Sequence, residues 1–390
     1  MSAIVPGPAG AVLVVGGGIG GLTAALCAAR GGREVRVLER AATYGEIGAG
    51  IQLAPNATRI LERLGLGDRL REVGVLPRRI VLADALTGEE LTHLPLGDFP
   101  DRYGGPYVVL HRGDLLAVLL DACSAAGVVL ETGCDVHDVV DDGRAVHVRC
   151  ADGREFDGGV LVAADGVNSR LRARFSADEP ISSGYVAYRG AVPIDRAHRR
   201  ADLRDVVAWI GPGLHLVQYA LRAGALYNTV GVFRSAAFAR GEAEWGTPDE
   251  LDTAFAGTTA HVREATGLLG RDHRWPMYDR LPTATWTSGR VTMLGDAAHP
   301  MLQYLAQGAC QAIEDADALV TALGAERDPE AALKRYEDLR APRTALVQST
   351  ARTWGEIWHV DGVARSMRNR LLRDRAPDDQ EFVEWLYGRP

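Results

Sequence analysis

VTMLGDAAHPMLQYLAQGACQAIEDA, residues 291–316, is the stretch whose reading decides the fold. The apolar run Val291 to Leu294 reads as a buried strand ending at Gly295-Asp296. A His299-Pro300 turn follows, then a loop closing at Gly308 and a helix that carries Glu314 and Asp315. A carboxylate at a strand's C-terminal tip, facing free N–H groups at a helix N-terminus, suits a ligand with a polyol chain and an electron-rich ring edge. Asp296 is the candidate acceptor for the polyol hydroxyls, and Gly308 and Ala309 are the candidate donors.

Working outward, the other half of such a site stands near the N-terminus. Ala11 to Val15 reads as a short apolar strand, followed by Gly16-Gly17-Gly18-Ile19-Gly20-Gly21 and a helix from Leu22 to Arg30. Gly16, Gly18 and Gly21 occupy the G-x-G-x-x-G positions, which permit a tight turn, close approach to a pyrophosphate and close helix–strand packing. A second strand, Glu34 to Leu38, ends in Glu39, placed to hydrogen-bond both adenosine ribose hydroxyls. An acid there favours a ribose with a free 2′-hydroxyl, as in FAD or NAD. Arg40 is a weaker candidate beside the adenosine.

Residues 11–29 carry no charge, yet they do not read as a membrane span. Five glycines interrupt the segment, and the ten residues before it supply no basic region or small-residue cleavage site. With 390 residues and 47% hydrophobic composition, the chain is large enough for two modest domains. A net charge of −8 argues against nucleic-acid or anionic-membrane partners. The five cysteines form no C-x-x-C and the ten histidines no close ligand pattern. A cytoplasmic protein with reduced thiols and no metal is expected.

Between the two nucleotide motifs the pattern alternates. A helix is expected to open at Asn56, strands over 78–108, a helix from Arg112 to Ala126, and strands and turns over 127–163. Residues 181–235 are strand-rich with interleaved aromatics, 248–270 read as helical, and the chain is nearly all helix from 313 onward. The fold class that follows is α/β: a Rossmann-like nucleotide-binding domain (FAD-binding, on the resemblance drawn below) with an inserted β-sheet lid, which that resemblance makes the substrate domain, and C-terminal helices. The expected division is 1–77, 108–177 and 281–390 for the discontinuous nucleotide-binding domain, with 78–107 and 178–280 for the inserted sheet.

A third motif lies at Ala163-Ala164-Asp165-Gly166-Val167-Asn168-Ser169-Arg170. With the glycine fingerprint before it and Gly295-Asp296 after it, the chain resembles the single-component flavoprotein aromatic hydroxylases of the p-hydroxybenzoate hydroxylase type. The resemblance covers essentially the whole chain. YGGPYVVLHRGDL (103–115), SSGYVAYRG (182–190), IGPGLHLVQYALR (210–222), RWPMYDR (274–280) and TWGEIWHVDG (353–362) narrow it to the 3-hydroxybenzoate 6-hydroxylases, and more loosely to salicylate hydroxylases. Met301 and Gln307 stand where that pattern has Pro and Ser, and Leu214 and Ala220 also depart from it.

The resemblance implies FAD as cofactor, NADH (or NADPH) as electron donor, and O₂ and a small aromatic acid as substrates. It implies that a flavin hydroperoxide passes oxygen to an activated ring, under a roof that excludes water, in a homodimer. It places Asp165 beside FAD and the nicotinamide donor, and Arg112 near the ribityl or phosphate region. It gives His215 the role of base toward the substrate phenol and Gln303 that of its hydrogen-bond donor. Tyr107, Tyr219 and Met301 fall on the pocket, and Pro300 presents its carbonyl to the flavin. On residue type alone, His215 between Leu214 and Leu216 is a strand histidine with a satisfied ring. Tyr107 and Tyr219 are equally compatible with core packing, and the Trp354/Trp358 pair with core or interface packing. Arg189 and Arg222 are the nearest candidates for a carboxylate partner. The first expected substrate is 3-hydroxybenzoate, giving 2,5-dihydroxybenzoate. An amino-hydroxybenzoate, salicylate, a larger polyketide precursor and a flavin-binding regulator without turnover are the alternatives.

Overall fold

The computed structural model describes residues 4–5, 10–45, 50–197 and 203–388. Part of the loop read between the second strand and the helix at Asn56, residues 46–49, lies outside the described residues. The fingerprint strand Val12–Val15 is central to a six-stranded sheet. Its order is 287–288, 291–293, 160–163, 12–15, 35–38 and 129–131, parallel throughout except for the short 287–288 edge. The inner strands VLVV, VLVA and VTM are buried at every position, as a parallel sheet covered on both faces requires. Helix Ile19–Arg30 packs on helices Gly308–Ala325 and Arg112–Ala125, so the two nucleotide motifs meet although almost the whole chain separates them.

A second sheet of seven strands runs in the order 275–279, 181–193, 226–234, 214–221, 205–211, 79–84 and 90–95. All neighbours are antiparallel except 205–211 with 79–84. Strand period two sorts its residues onto faces. Leu214 and Leu216 point to one side and pack with Leu251, Phe255 and Val262. These come from two short helices, Pro248–Phe255 and Ala260–Ala265, which replace the single helical stretch expected over 248–270. The break is written locally: Thr247 and Thr259 each cap a helix start by accepting from the N–H three residues on. His215, Val217 and Tyr219 point to the other side, toward the first sheet. The roof and its inward chemistry thus come from one alternating strand.

Four helices close the chain: Gly308–Ala325, Pro329–His359, Gly362–Asp374 and Glu381–Tyr387. Among the described residues no helix is long and apolar enough to cross a membrane. All five cysteines are buried, unpaired thiols.

Candidate active site

One cavity of about 550 Å³ lies between the two sheets. Gly18, Arg112, Asp296, Gly308 and Ala309 line one end. Tyr107, Arg189, His215, Tyr219, Met301 and Gln303 line the other. The 291–316 stretch therefore contributes to both ends.

At the first end, the three fingerprint glycines answer to different constraints. Gly16 has φ +106°, and a Cβ there would sit 2.3 Å from the Ala164 carbonyl oxygen. A Cβ on Gly21 would lie 2.0 Å from the Gly16 carbonyl oxygen. Gly18 is the reverse: a Cβ would meet nothing within 4 Å among the described residues, and the open space belongs to the cavity. That cradle at the start of a helix is where backbone N–H groups can approach a pyrophosphate. Glu39 lies beside it, its carboxylate accepting from the Gly17 and Ala41 N–H groups at 2.7 Å each. Arg40 is exposed and does not line the cavity. Asp165 accepts from the Arg170 N–H through Oδ2, while its Oδ1 is buried without a partner among the described residues, between two that line the cavity, Ala164 and Gly166. An orphaned carboxylate oxygen in that position is unusual for a buried acceptor and fits a ligand hydroxyl or ring N–H. Asp296 is exposed to the cavity near Gly308, whose added Cβ would lie 3.8 Å from its Oδ1. Taken together these residues fit FAD.

The loop that carries Asp296 is anchored by buried charge. Asp315 accepts from the Gly295 N–H at 3.0 Å, from His299 Nε2 at 2.5 Å and from Arg340 Nε at 2.7 Å. Burial pushes the Asp315 carboxyl up, but His299 and Arg340 outweigh it and hold it at about 2. Glu314 binds Arg340, Arg343 and the Asn56 amide. His299 thus orients the turn from beneath. Pro300 does not line the cavity, and its carbonyl accepts from Gln348 Nε2 at 3.0 Å.

At the other end, Arg189 Nη2 donates to Gln303 Oε1 at 3.1 Å. A guanidinium has no acceptor, so the oxygen of Gln303 must face it and the amide NH₂ is left to donate elsewhere. Arg189 Nε is buried without a partner among the described residues, and burial lowers the arginine's pKa. Arg222, by contrast, is paired with Asp114 near the surface and does not line the cavity. Tyr107 donates to Gln52 Oε1 at 2.6 Å, and Gln52 also reaches the Tyr219 hydroxyl. Burial pushes both phenols up, so both remain protonated donors at neutral pH. His215 is 1% exposed, and burial followed by the neighbouring His359 holds its pKa well below the ordinary imidazole value. Its Nδ1 lies 2.9 Å from His359 Nε2.

Sequence reasoning missed Gln52, His359 and Tyr304, and saw Trp354 and Trp358 only as packing. Tyr304, Trp354 and Trp358 line the same cavity. The TWGEIWH run holds three of these residues, but only the end of a helix meeting the turn before His215 brings them to the site: the Gly213 N–H donates to the His359 carbonyl at 3.0 Å.

The FAD binding domain family model matches residues 10–351. The chain is 41% identical over 386 residues to 3-hydroxybenzoate 6-hydroxylase 1 of Aquipseudomonas alcaligenes, covering 97% of both chains. It is 39% identical over 394 residues to a 3-amino-4-hydroxybenzoate 2-monooxygenase of Streptomyces platensis, covering 97% of this chain and 95% of the relative. Among solved structures, Klebsiella pneumoniae HpxO complexed with FAD and uric acid superposes with a TM-score of 0.85 at 28% identity, over 97% of each chain. The chain belongs to the FAD binding domain family and is one of its flavoprotein aromatic hydroxylases.

Proposed function

We propose that this enzyme hydroxylates 3-hydroxybenzoate to 2,5-dihydroxybenzoate with NADH and O₂, using His215 as base and Gln303 as donor to the phenolate. The observation that carries the reading is the fixed amide of Gln303, whose NH₂ is left free by Arg189 across one cavity from a neutral imidazole. Bound FAD supplies the oxygen-transfer chemistry, and Gly18, Asp165, Asp296, Gly308 and Ala309 would hold it. The chain's own residues activate the ring. His215 Nε2 takes the phenolic proton, and the Gln303 amide stabilises the resulting oxyanion by a charge-assisted hydrogen bond. Arg189 supplies a nearby positive charge with one donor to spare for an anionic substrate. Val217, Val230, Trp354 and Trp358 make the surrounding wall apolar and limit water. The reading includes the division into a discontinuous FAD-binding domain and an inserted substrate sheet at the boundaries given above. It also includes a cytoplasmic homodimer, which sedimentation of the purified protein checks.

The similarity to a 3-amino-4-hydroxybenzoate 2-monooxygenase, only slightly lower than that to a 3-hydroxybenzoate 6-hydroxylase, supports a second reading in which the ring is rotated in the same chamber. A panel of hydroxy- and amino-hydroxybenzoates separates the two. The expected result is NADH oxidation stimulated most by 3-hydroxybenzoate, with a product one oxygen heavier and para-hydroxylated by NMR. Stimulation without oxygenated product would make the compound an effector. Unchanged hydroxylation in both His215→Ala and Gln303→Ala would overturn the assignment of this pocket.

A further inference from the structure

We propose that His359 is the outer half of a two-imidazole proton path that carries the substrate's phenolic proton from His215 out of the chamber. The inference rests on the reading of His215 as the base. What points to it is an exclusive pairing: the buried His215 has one ring nitrogen on His359 Nε2 at 2.9 Å and belongs to the cavity wall, whereas His359 does not line the cavity. His359 retains 9% of its surface against 1% for His215, so of the two it is the one able to exchange a proton outside the chamber.

Two neutral imidazoles joined through Nδ1 and Nε2 share one hydrogen, which fixes their tautomers as a pair. With the hydrogen on His215 Nδ1, His215 Nε2 is bare and His359 carries its own hydrogen on Nδ1. The substrate O–H then breaks as His215 Nε2–H forms. His215 Nδ1–H breaks as His359 Nε2–H forms, and His359 Nδ1–H leaves to solvent. Charge balances at each stage: the phenolate is formed and one proton is released. The reverse sequence protonates the product phenolate and restores both tautomers.

The surroundings keep the proton moving. Burial, then the positive charge of Arg368, lowers the His359 pKa to about 3, so a cation there does not persist. Arg368 comes from helix Gly362–Asp374 and is itself fixed on the Trp358 carbonyl. Tyr185 of strand Ile181–Pro193 stacks on His359 with ring centroids 4.6 Å apart, and Tyr304 of the 303–305 turn meets it edge-on at 5.4 Å. Arg234 and Glu356 act on Tyr185, one layer further out. Among the described residues no carboxylate acts on either imidazole. This differs from a triad, in which a carboxylate would hold the charge in place.

The test uses the FAD-loaded protein, 3-hydroxybenzoate as probe, and rapid mixing to follow the ultraviolet absorbance of the bound phenolate across pH. His359→Phe keeps a ring to stack on Tyr185 but removes both nitrogens. His359→Gln keeps an acceptor for His215 Nδ1–H but cannot pass a proton on, and it carries the test if the Phe variant fails to fold. Both variants are expected to bind flavin and probe normally, yet form phenolate at least about tenfold more slowly at neutral pH, with the lost rate recovered by added imidazole buffer. A Gln variant with the parent rate and pH profile would reduce His359 to a support for His215 and overturn the path. His215→Phe in the same assay separates the two claims: unchanged phenolate formation there would remove the base itself, whereas loss there with unaffected His359 variants would remove only the path.

Discussion

Gly16 and Gly18 are two residues apart, and the same substitution should separate folding from cofactor binding at them. Gly18 has an ordinary φ and faces open cavity, so an added methyl meets no protein atom within 4 Å. Gly18→Ala is expected to keep its melting temperature in the flavin-free protein within a degree or two. It should nonetheless purify pale, because the methyl fills the space that the pyrophosphate must approach. Gly16→Ala meets both a φ of +106° and a carbonyl oxygen at 2.3 Å. It should cost on the order of 2–4 kcal/mol, read as lost yield or a lower midpoint in urea. Flavin absorbance per protein together with thermal melting checks the pair. Equal flavin loss with equal destabilisation in the two variants would remove the distinction.

At the scale of elements, the helix Pro329–His359 holds the 291–316 connection in place through Arg340. That side chain is 2% exposed and bonds Asp315, Glu314 and Gln311. Arg340→Met strips the guanidinium from the fully buried Asp315 and leaves the Gly295 N–H and the His299 ring as its remaining partners. The expected loss is about 3–5 kcal/mol, because an uncompensated buried charge costs more than the pair contributed. Flavin affinity should fall with it, since Asp315 also holds the Gly295 N–H next to Asp296. A variant with unchanged melting and flavin content would show that the network is replaceable. These anchors mark where sequence reading stops. Strand alternation at 214–221 and the glycine loop at 16–21 were legible because period and spacing are local properties. The sheet order was not, and the break between the helices at 248 and 260 was overlooked although Thr247 and Thr259 announced it. Nothing near Glu314 and Asp315 in the sequence names Arg340, 25 residues beyond Asp315. His215 read as a satisfied histidine in isolation, since its partner is 144 residues away. Gln52 gave no local signal, as a strand glutamine is commonplace until two tyrosines close on it.

For the whole molecule, burying two adjacent neutral histidines ties stability to pH. Burial lowers His215 well below the ordinary value and His359 to about 3, so the folded chain refuses protons that the unfolded chain accepts near pH ~6.5. Stability from this pair is therefore full above pH ~6.5 and declines as pH falls toward about 3. The slope is up to about 2.7 kcal/mol per pH unit when both sites count, at 1.36 kcal/mol for each proton. Asp315 works in a lower window: depressed to about 2, it stabilises above pH ~4 and loses that contribution only on further acidification. His147, raised by Asp157 and Asp142, opposes the trend, but it is exposed and solvent screens its effect. Chemical denaturation at intervals between pH 7.5 and 5 should accordingly show stability falling with acid in the parent protein. A variant carrying both His215→Phe and His359→Phe should have a markedly flatter profile over the same range, even if it starts less stable. Parallel profiles would mean that the histidine pair takes up its proton in the folded state. The neutral ground state on which both the base and its proton path depend would then be wrong.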